Sequence, residues 1–83
     1  MLETDIEQRI QQAFPDAQII VTGDGHHFTA TVVTDTFHDM SLVKRQQSVY
    51  ACVSDPIRRG EIHALTIKAH TLPEYAAQQK ETS

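Results

Sequence analysis

Apolar residues near the start of the chain recur at the spacing of a helix. The residues that share this face are Ile6, Ile10, Ala13 and Phe14. Thr4 is followed three residues later by Glu7, which is the pattern of a capping box at a helix start. Pro15 ends the segment, because the residue before a proline avoids helical geometry. The pattern therefore predicts a first helix that stops at Pro15.

Two stretches suited to β-strands follow the first helix. Residues 18–22 are largely apolar and β-branched, and in residues 28–34 apolar side chains alternate with β-branched ones. Gly23-Asp24-Gly25 interrupts them. The pattern predicts a β-hairpin whose glycine-rich loop is longer than a two-residue turn.

A second helix is predicted after a polar link at residues 35–39. Ser41 is a suitable N-cap, and Gly60 follows a polar exit from the helix, with Pro56 near its end. The predicted buried face comprises Val43, Gln46 or Gln47, Val49, Tyr50, Val53 and Ile57. The residues predicted to face solvent are Lys44, Arg45 and Ser48.

The last part of the chain predicts a strand and a short helix. Residues 62–69 have strand character, and Thr71 with Glu74 repeats the capping-box pattern. Pro73 suits the first turn of a helix that runs to about Gln79, and residues 80–83 are expected to fray. The predicted fold is one α/β (α+β) domain over residues 1–83, ordered over about 3–79, in the order α-β-β-α-β-α with a three-stranded mixed sheet.

The predicted topology brings histidines together from distant parts of the sequence. A strand that returns to its sheet through a helix lies parallel to the strand it left. If the third strand pairs with the second, their starting ends are adjacent, about 4.8 Å apart. His63 at one start then lies near His26 and His27 at the other.

Neutral imidazoles placed in this way can share a metal ion. Two ligands leave the site incomplete, and the single cysteine, Cys52, falls inside a predicted helix. The missing ligands would have to come from a partner. A simpler interpretation, which spacing alone favours, makes His26 and His27 ordinary loop residues and His63 an edge-of-core residue.

Other residues offer weaker candidates for chemistry. His38 and His70 fall at predicted surface positions, and Gly23-Asp24-Gly25 lacks the helix N-terminus and lysine of a phosphate loop. Cys52 is best interpreted as a small buried residue. No positioned triad or carboxylate pair is evident, so we do not expect an enzyme.

Composition and charge narrow the function classes further. A formal charge of −4 opposes sequence-independent binding to nucleic acid. One cysteine cannot form an internal disulfide, and no apolar run approaches the ~18 residues of a membrane span. The start of the chain also lacks the pattern of a signal peptide. We therefore expect a cytoplasmic protein that does not enter a membrane.

Several segments resemble the BolA family. Residues 37–50 resemble its central turn and helix, which end in Val-Tyr, and residues 62–69 resemble its third strand with a histidine. Residues 71–75 are similar to the Thr-Pro-Glu-Trp pattern that opens its final helix. The Gly-Asp-Gly-x-His-Phe form of residues 23–28 and the Gln46-Gln47 pair are most similar to the IbaG-like (YrbA) branch.

The resemblance implies a fold like the class II KH domain and a heterodimer with a monothiol glutaredoxin. It implies a 2Fe-2S cluster shared with that glutaredoxin and its glutathione, with none expected in the isolated protein. His63 is the implied ligand, joined by a loop histidine, for which His27 is preferred and His26 is the alternative. The family's Arg-His-Arg is here Arg45-Gln46-Gln47, which weakens an implied nucleic-acid role.

The leading hypothesis is therefore a binding protein in iron-sulfur cluster trafficking, iron homeostasis or stress response. The alternative is a KH-like nucleic-acid-binding transcriptional regulator, although the chain lacks the Gly-x-x-Gly loop of KH domains. A homodimer is a further option that the sequence leaves open.

Overall fold

The computed structural model describes residues 2–81, and the side chains of residues 2–78. A 3-10 helix at Asp35–Phe37 links the hairpin to the second helix. The helices are α1 (Glu3–Ala13), α2 (Leu42–Cys52), α3 (Ser54–Arg58) and α4 (Leu72–Glu81), and the strands are β1 (Gln18–Gly23), β2 (His27–Val33) and β3 (Ala64–His70). The predicted α+β domain and its element order are confirmed, except that the second helix is divided.

The three strands form one mixed sheet in the order β1-β2-β3. β2 runs antiparallel to β1 and parallel to β3, as the hairpin and the helical crossover predict. In the parallel pair His27 is level with Ala64, and Val33 is level with His70. The register therefore places the starts of β2 and β3 side by side.

One face of the sheet and the helices enclose the core. α1 packs against β1, and α2 packs against β3 and α1. Phe28, Ala30 and Val32 are buried on alternate positions of β2, as a strand with one covered face requires. The other buried residues of this cluster are Ile6, Ile10, Ala17, Phe37, Val49, Val53, Ile62, Ile67 and Ala69.

The capping box predicted for the first helix is wrong. α1 begins earlier, with Leu2 at the N-cap, and the carboxylate of Asp5 accepts a 3.3 Å bond from the backbone N–H of Leu2. Thr4 lies inside the helix, so it cannot cap it. Ala13, predicted on the apolar face, is exposed, whereas Ile6 and Ile10 are fully buried.

The predicted faces of the second helix are partly wrong. Val49 and Val53 are buried as expected, but Val43 is 64% exposed and Tyr50 is 39% exposed. Arg45, predicted to face solvent, is only 6% exposed. The apolar stripe is therefore narrower than predicted. Arg45 can be buried because its guanidinium has hydrogen-bond partners within the fold.

The second helix also divides where a single helix was predicted. α2 ends at Cys52 and α3 begins at Ser54, after Val53 leaves helical geometry with φ −124°. Pro56 explains the break, because it has no N–H to donate to Cys52 and its ring would clash with that carbonyl. The predicted cap at Ser41 is confirmed, since its hydroxyl accepts the N–H of Lys44.

The cap of the last helix is as predicted. The hydroxyl of Thr71 accepts the N–H of Glu74 at 3.4 Å, and the Glu74 carboxylate accepts the N–H of Thr71 at 2.9 Å. α4 continues to Glu81, so it is longer than predicted. The rest of the tail that was expected to fray, residues 82 and 83, lies outside the described residues. None of the helices within residues 2–81 has the length and apolar character needed to cross a membrane.

Candidate functional site

Backbone hydrogen bonds tie the hairpin loop to the start of the third strand. The N–H groups of His63 and Ala64 both donate to the carbonyl oxygen of His26, each at 3.2 Å. His27, the first residue of β2, is paired with Ala64. The predicted convergence of the three histidines at one end of the sheet is therefore present in the structure.

The rings of His26 and His63 are in direct contact. Their centroids lie 5.1 Å apart and their planes meet at 76°, an edge-to-face arrangement. Two imidazoles that bind one tetrahedral ion at about 2.1 Å have centroids at a similar distance, roughly 5 Å. The spacing of the rings of His26 and His63 is therefore compatible with a shared ion.

His27 has a different neighbour. His27 directly precedes the buried Phe28 in β2, and successive side chains of a strand point to opposite faces. The side chain of His27 therefore points away from the core and is 71% exposed. Its Nδ1 lies 3.6 Å from Oδ2 of Asp24. The structure thus places both loop histidines beside the start of β3, but only His26 touches the ring of His63.

Asp24 organises the loop that carries these histidines. Its Oδ1 accepts the N–H groups of His27 at 2.8 Å and of His26 at 3.0 Å, which is an Asx-type turn. These two backbone hydrogen bonds, that of His27 first, lower the pKa of the Asp24 carboxyl to about 2. From the sequence, Asp24 is only part of the loop between two strands, although an aspartate two residues before a pair of candidate ligands is itself a signal.

Glycine is needed on each side of Asp24, for a different structural reason at each position. Gly25 has a φ of +98°, a conformation that residues with a Cβ rarely adopt. A Cβ on Gly23 would lie 2.5 Å from the ring of Phe28. The Gly-Asp-Gly sequence is therefore required by the tight return of the chain into β2.

The remaining titratable candidates lie apart from this group. His38 pairs with its neighbour Asp39 at 3.5 Å, and the ring of His70 lies 6.0 Å from that of Tyr75. Cys52 is half-buried in α2, and burial raises the pKa of its thiol, so it is a poor thiolate. Across the described residues, no three His, Cys, Asp or Glu side chains are arranged to hold a metal ion by themselves.

An open groove borders His63 on the other side. It has a volume of about 380 Å³, and its lining includes Ile57, Ile62, Leu65 and Tyr50. The hydroxyl of Tyr50 donates a 2.8 Å hydrogen bond to the carbonyl oxygen of Leu65. The helical pattern places Tyr50 in the core alone, so the sequence gives no sign of its position beside the candidate ligand.

Comparison with known proteins identifies the family. The family model described as BolA-like protein matches residues 5–74. The acid stress protein IbaG of Escherichia coli K12 is 38% identical over 80 residues, which cover 96% of this chain and 95% of IbaG.

Solved structures agree with this assignment. A BolA protein homologue from Coxiella burnetii superposes with a TM-score of 0.78 at 34% identity, covering 92% of this chain and 97% of that one. The BolA domain of SufE1 from Arabidopsis thaliana superposes with a TM-score of 0.76 at 27% identity, covering 87% and 93%. The fold, the matched residues and the full-length similarity to IbaG together show that this chain belongs to the BolA family, in its IbaG-like branch.

Proposed function

We propose that this protein pairs with a monothiol glutaredoxin and supplies histidine ligands to a 2Fe-2S cluster that the two proteins share. The observation that carries the proposal is the meeting of His26, His27 and His63 at the starts of β2 and β3. The chain acts here as a binding protein in cluster trafficking or iron homeostasis, not as an enzyme.

The donor atoms fit such a cluster, provided that a partner completes it. A 2Fe-2S cluster is ordinarily held by four cysteine thiolates, two on each iron. Two histidines can replace the two thiolates of one iron. The thiol of Cys52 is half-buried within a helix and is not among the histidines. A glutaredoxin cysteine and a glutathione thiol would supply the thiolates, so the isolated chain is expected to hold no stable cluster.

His63 is a ligand whether His26 or His27 supplies the second imidazole. His26 touches its ring, while His27 is more open to a partner and is held beside a carboxylate. We assign the second position to His27, which the resemblance to the IbaG-like branch favours and whose exposed imidazole has its Nδ1 toward a carboxylate and its Nε2 free for a metal. Because its side chain lies on the face of β2 opposite to the contact between His26 and His63, the hairpin loop has to turn in the complex for His27 and His63 to reach one iron. His26 remains the alternative, and single substitutions separate the two.

The test is the co-purification of this chain with a monothiol glutaredoxin in the presence of glutathione. Visible absorption and circular dichroism are recorded for wild type, His63→Ala, His27→Ala and His26→Ala. We expect His63→Ala to abolish the histidine-ligated spectrum or to shorten the cluster lifetime, and His27→Ala to do so more than His26→Ala.

Two histidines outside the group provide matched controls. His38→Ala and His70→Ala should leave both the spectrum and the cluster lifetime unchanged, since these residues lie next to Asp39 and Tyr75 respectively. Identical spectra and lifetimes for wild type and all three site variants would overturn the proposed function. A loss with His26→Ala alone among the loop variants would reassign the second ligand.

A further inference from the structure

The two carboxylate oxygens of Asp24 are engaged in two different ways. Oδ1 accepts both backbone N–H groups of the histidine pair, at 3.0 Å and 2.8 Å. Oδ2 is turned toward the ring of His27 and lies 3.6 Å from Nδ1, slightly beyond an ordinary hydrogen bond. The turn requires only the first oxygen, so the second is available to act on the imidazole.

A neutral imidazole carries its proton on one nitrogen and its lone pair on the other. A carboxylate next to Nδ1 favours the form with the proton on Nδ1, because that N–H points toward negative charge. The lone pair then remains on Nε2, which faces away from Asp24. Carboxylates placed in this way commonly fix the orientation and the basicity of metal-binding histidines.

We infer that Asp24 is a positioning residue: it holds the hairpin loop through Oδ1 and, through Oδ2, keeps the proton of His27 on Nδ1 so that Nε2 can bind the cluster. This inference rests on the proposed function and adds to it the residue that prepares the loop ligand. Asp24 itself does not touch the cluster.

The substitution Asp24→Asn separates the two roles of this residue. It should leave the turn intact, because an asparagine side chain forms the same Asx turn through its carbonyl oxygen. The NH₂ group of the asparagine, however, is a donor where Oδ2 was an acceptor. Nδ1 of His27 would then have to accept, and the proton would move to Nε2.

The chain offers a matched control elsewhere on its surface. His38 and Asp39 form a similar exposed contact, with Nε2 3.5 Å from Oδ1. Asp39 has a φ of 69°, a conformation that asparagine also tolerates, so Asp39→Asn should not strain the backbone. It removes one carboxylate beside a histidine without touching the candidate site.

The first measurement needs neither cluster nor partner. Long-range nitrogen-proton correlation spectra of the isolated chain, at a pH where imidazoles are neutral, report which ring nitrogen carries the proton. We expect the proton of His27 on Nδ1 in wild type and in Asp39→Asn, and on Nε2 in Asp24→Asn. A wild-type proton on Nε2, or the same tautomer in wild type and Asp24→Asn, would overturn the inference.

The second measurement uses the complex with the monothiol glutaredoxin and glutathione. Removing an outer partner of a metal-binding histidine typically costs about 10- to 100-fold in metal affinity. We therefore expect Asp24→Asn to lower the cluster affinity of the complex by at least ~10-fold. Asp39→Asn should retain the wild-type value. Asp24→Asn loses the charge that its two backbone hydrogen bonds favour, so its thermal midpoint should fall slightly, and the affinities are compared at a temperature where all the proteins are folded. A purely structural role of Asp24 would lower the midpoint without moving the proton of His27.

The outcomes separate this inference from the proposed function. If His27→Ala weakens cluster binding and Asp24→Asn does not, the positioning role is wrong and the proposed function stands. If both His27→Ala and His63→Ala leave cluster binding unchanged, the proposed function is wrong and the positioning role falls with it.

Discussion

At the scale of single residues, Arg45 is the most deeply buried charged side chain within residues 2–78, and it contacts four other parts of the chain. Its Nε donates to the carbonyl oxygen of Met40 at 3.1 Å, and one terminal nitrogen donates to that of Ala69 at 3.4 Å. Both terminal nitrogens reach the carboxylate of Glu74, at 2.7 Å and 3.3 Å. The guanidinium also lies 5.8 Å from the ring centroid of Phe37. Arg45 thus links α2 by hydrogen bonds to the end of β3 and to the start of α4.

Replacing Arg45 should destabilise the fold, although its position in the sequence suggests a surface residue. Arg45→Met keeps most of the side-chain volume but leaves the carbonyls of Met40 and Ala69 without this donor. Hydrogen bonds from a charged group contribute about 2 kcal/mol, so we expect the thermal midpoint to fall by roughly 10 °C. The exposed neighbour Lys44→Met is the control, and equal midpoints for the two variants would contradict this role.

The partner of Arg45 predicts a pH dependence of stability. The hydrogen bond from Arg45, followed by that from the N–H of Thr71, lowers the pKa of Glu74 from 4.5 to about 2. A depressed carboxylate pKa stabilises the folded state above the unfolded-state value, and this stabilisation is lost as the pH falls through the folded value. The contribution of Glu74 should therefore be complete above about pH 4.5 and disappear toward pH 2.

Urea unfolding of wild type and Glu74→Gln across this pH range checks the prediction. The variant should be less stable than wild type at neutral pH, and the difference should shrink as the pH approaches 2, where wild-type Glu74 becomes neutral as well. A difference that stays constant with pH would show that the ion pair with Arg45 does not contribute through its charge.

The caps at Ser41 and Thr71 were predictable, although the equally local pattern at Thr4 was misleading because α1 begins earlier, and the burial of Arg45 was not predictable. The caps at Ser41 and Thr71 depend only on residues three positions away, so the sequence shows both partners at once. The burial of Arg45 depends on Glu74, 29 residues later, and on a carbonyl at the end of β3. No local pattern shows that such partners will meet.

At the scale of elements, the second helix presents a narrow apolar stripe to the sheet. Val49 in α2 and Val53 directly after it are fully buried, whereas Val43 in α2 is exposed. The sequence pattern predicted Val43 on the buried face, and this was wrong, because the apolar character of a valine does not show which side of a helix is covered. Contact with β3 and with α1 decides which side is covered.

Val49 and Val43 provide a matched pair of substitutions in one helix. Val49→Ala removes buried methyl groups and leaves a cavity, so we expect it to cost about 1.5 to 3 kcal/mol in the free energy of unfolding. Val43→Ala removes the same atoms from an exposed position and should change stability by no more than about 0.5 kcal/mol. Chemical denaturation measures both, and similar losses would mean that the helix face is wrongly assigned.

The sheet was predictable from the order of its elements, and so was the place where the histidines meet. A hairpin followed by a helical crossover leaves few arrangements, and the parallel pairing of β2 with β3 brings His63 beside the loop. The ring that touches His63 was not predictable. His26 and His27 point to opposite sides, and the Asx turn of Asp24 decides how the loop presents them.

At the scale of the whole molecule, the charge balance disfavours nucleic acid as a partner. The chain carries a formal charge of −4, and affinity for phosphate backbones depends on the release of counterions by cations. We expect affinity for random duplex DNA at physiological salt to be no better than ~10⁻⁴ M. Gel shifts with random and with selected sequences check this, and a tight, sequence-selective shift would instead support a regulator that binds nucleic acid.

The central claim, that histidines of this chain bind a shared cluster, is tested most directly by nitrogen hyperfine spectroscopy of the reduced complex. The chain is produced with isotopically labelled histidine and combined with an unlabelled monothiol glutaredoxin and glutathione, so that only its own imidazoles change the nitrogen signals. We predict strong coupling from labelled nitrogen in wild type and a partial loss in both His63→Ala and His27→Ala, because one labelled imidazole remains on any cluster that survives. A reduced cluster with no coupling to labelled nitrogen would contradict the account.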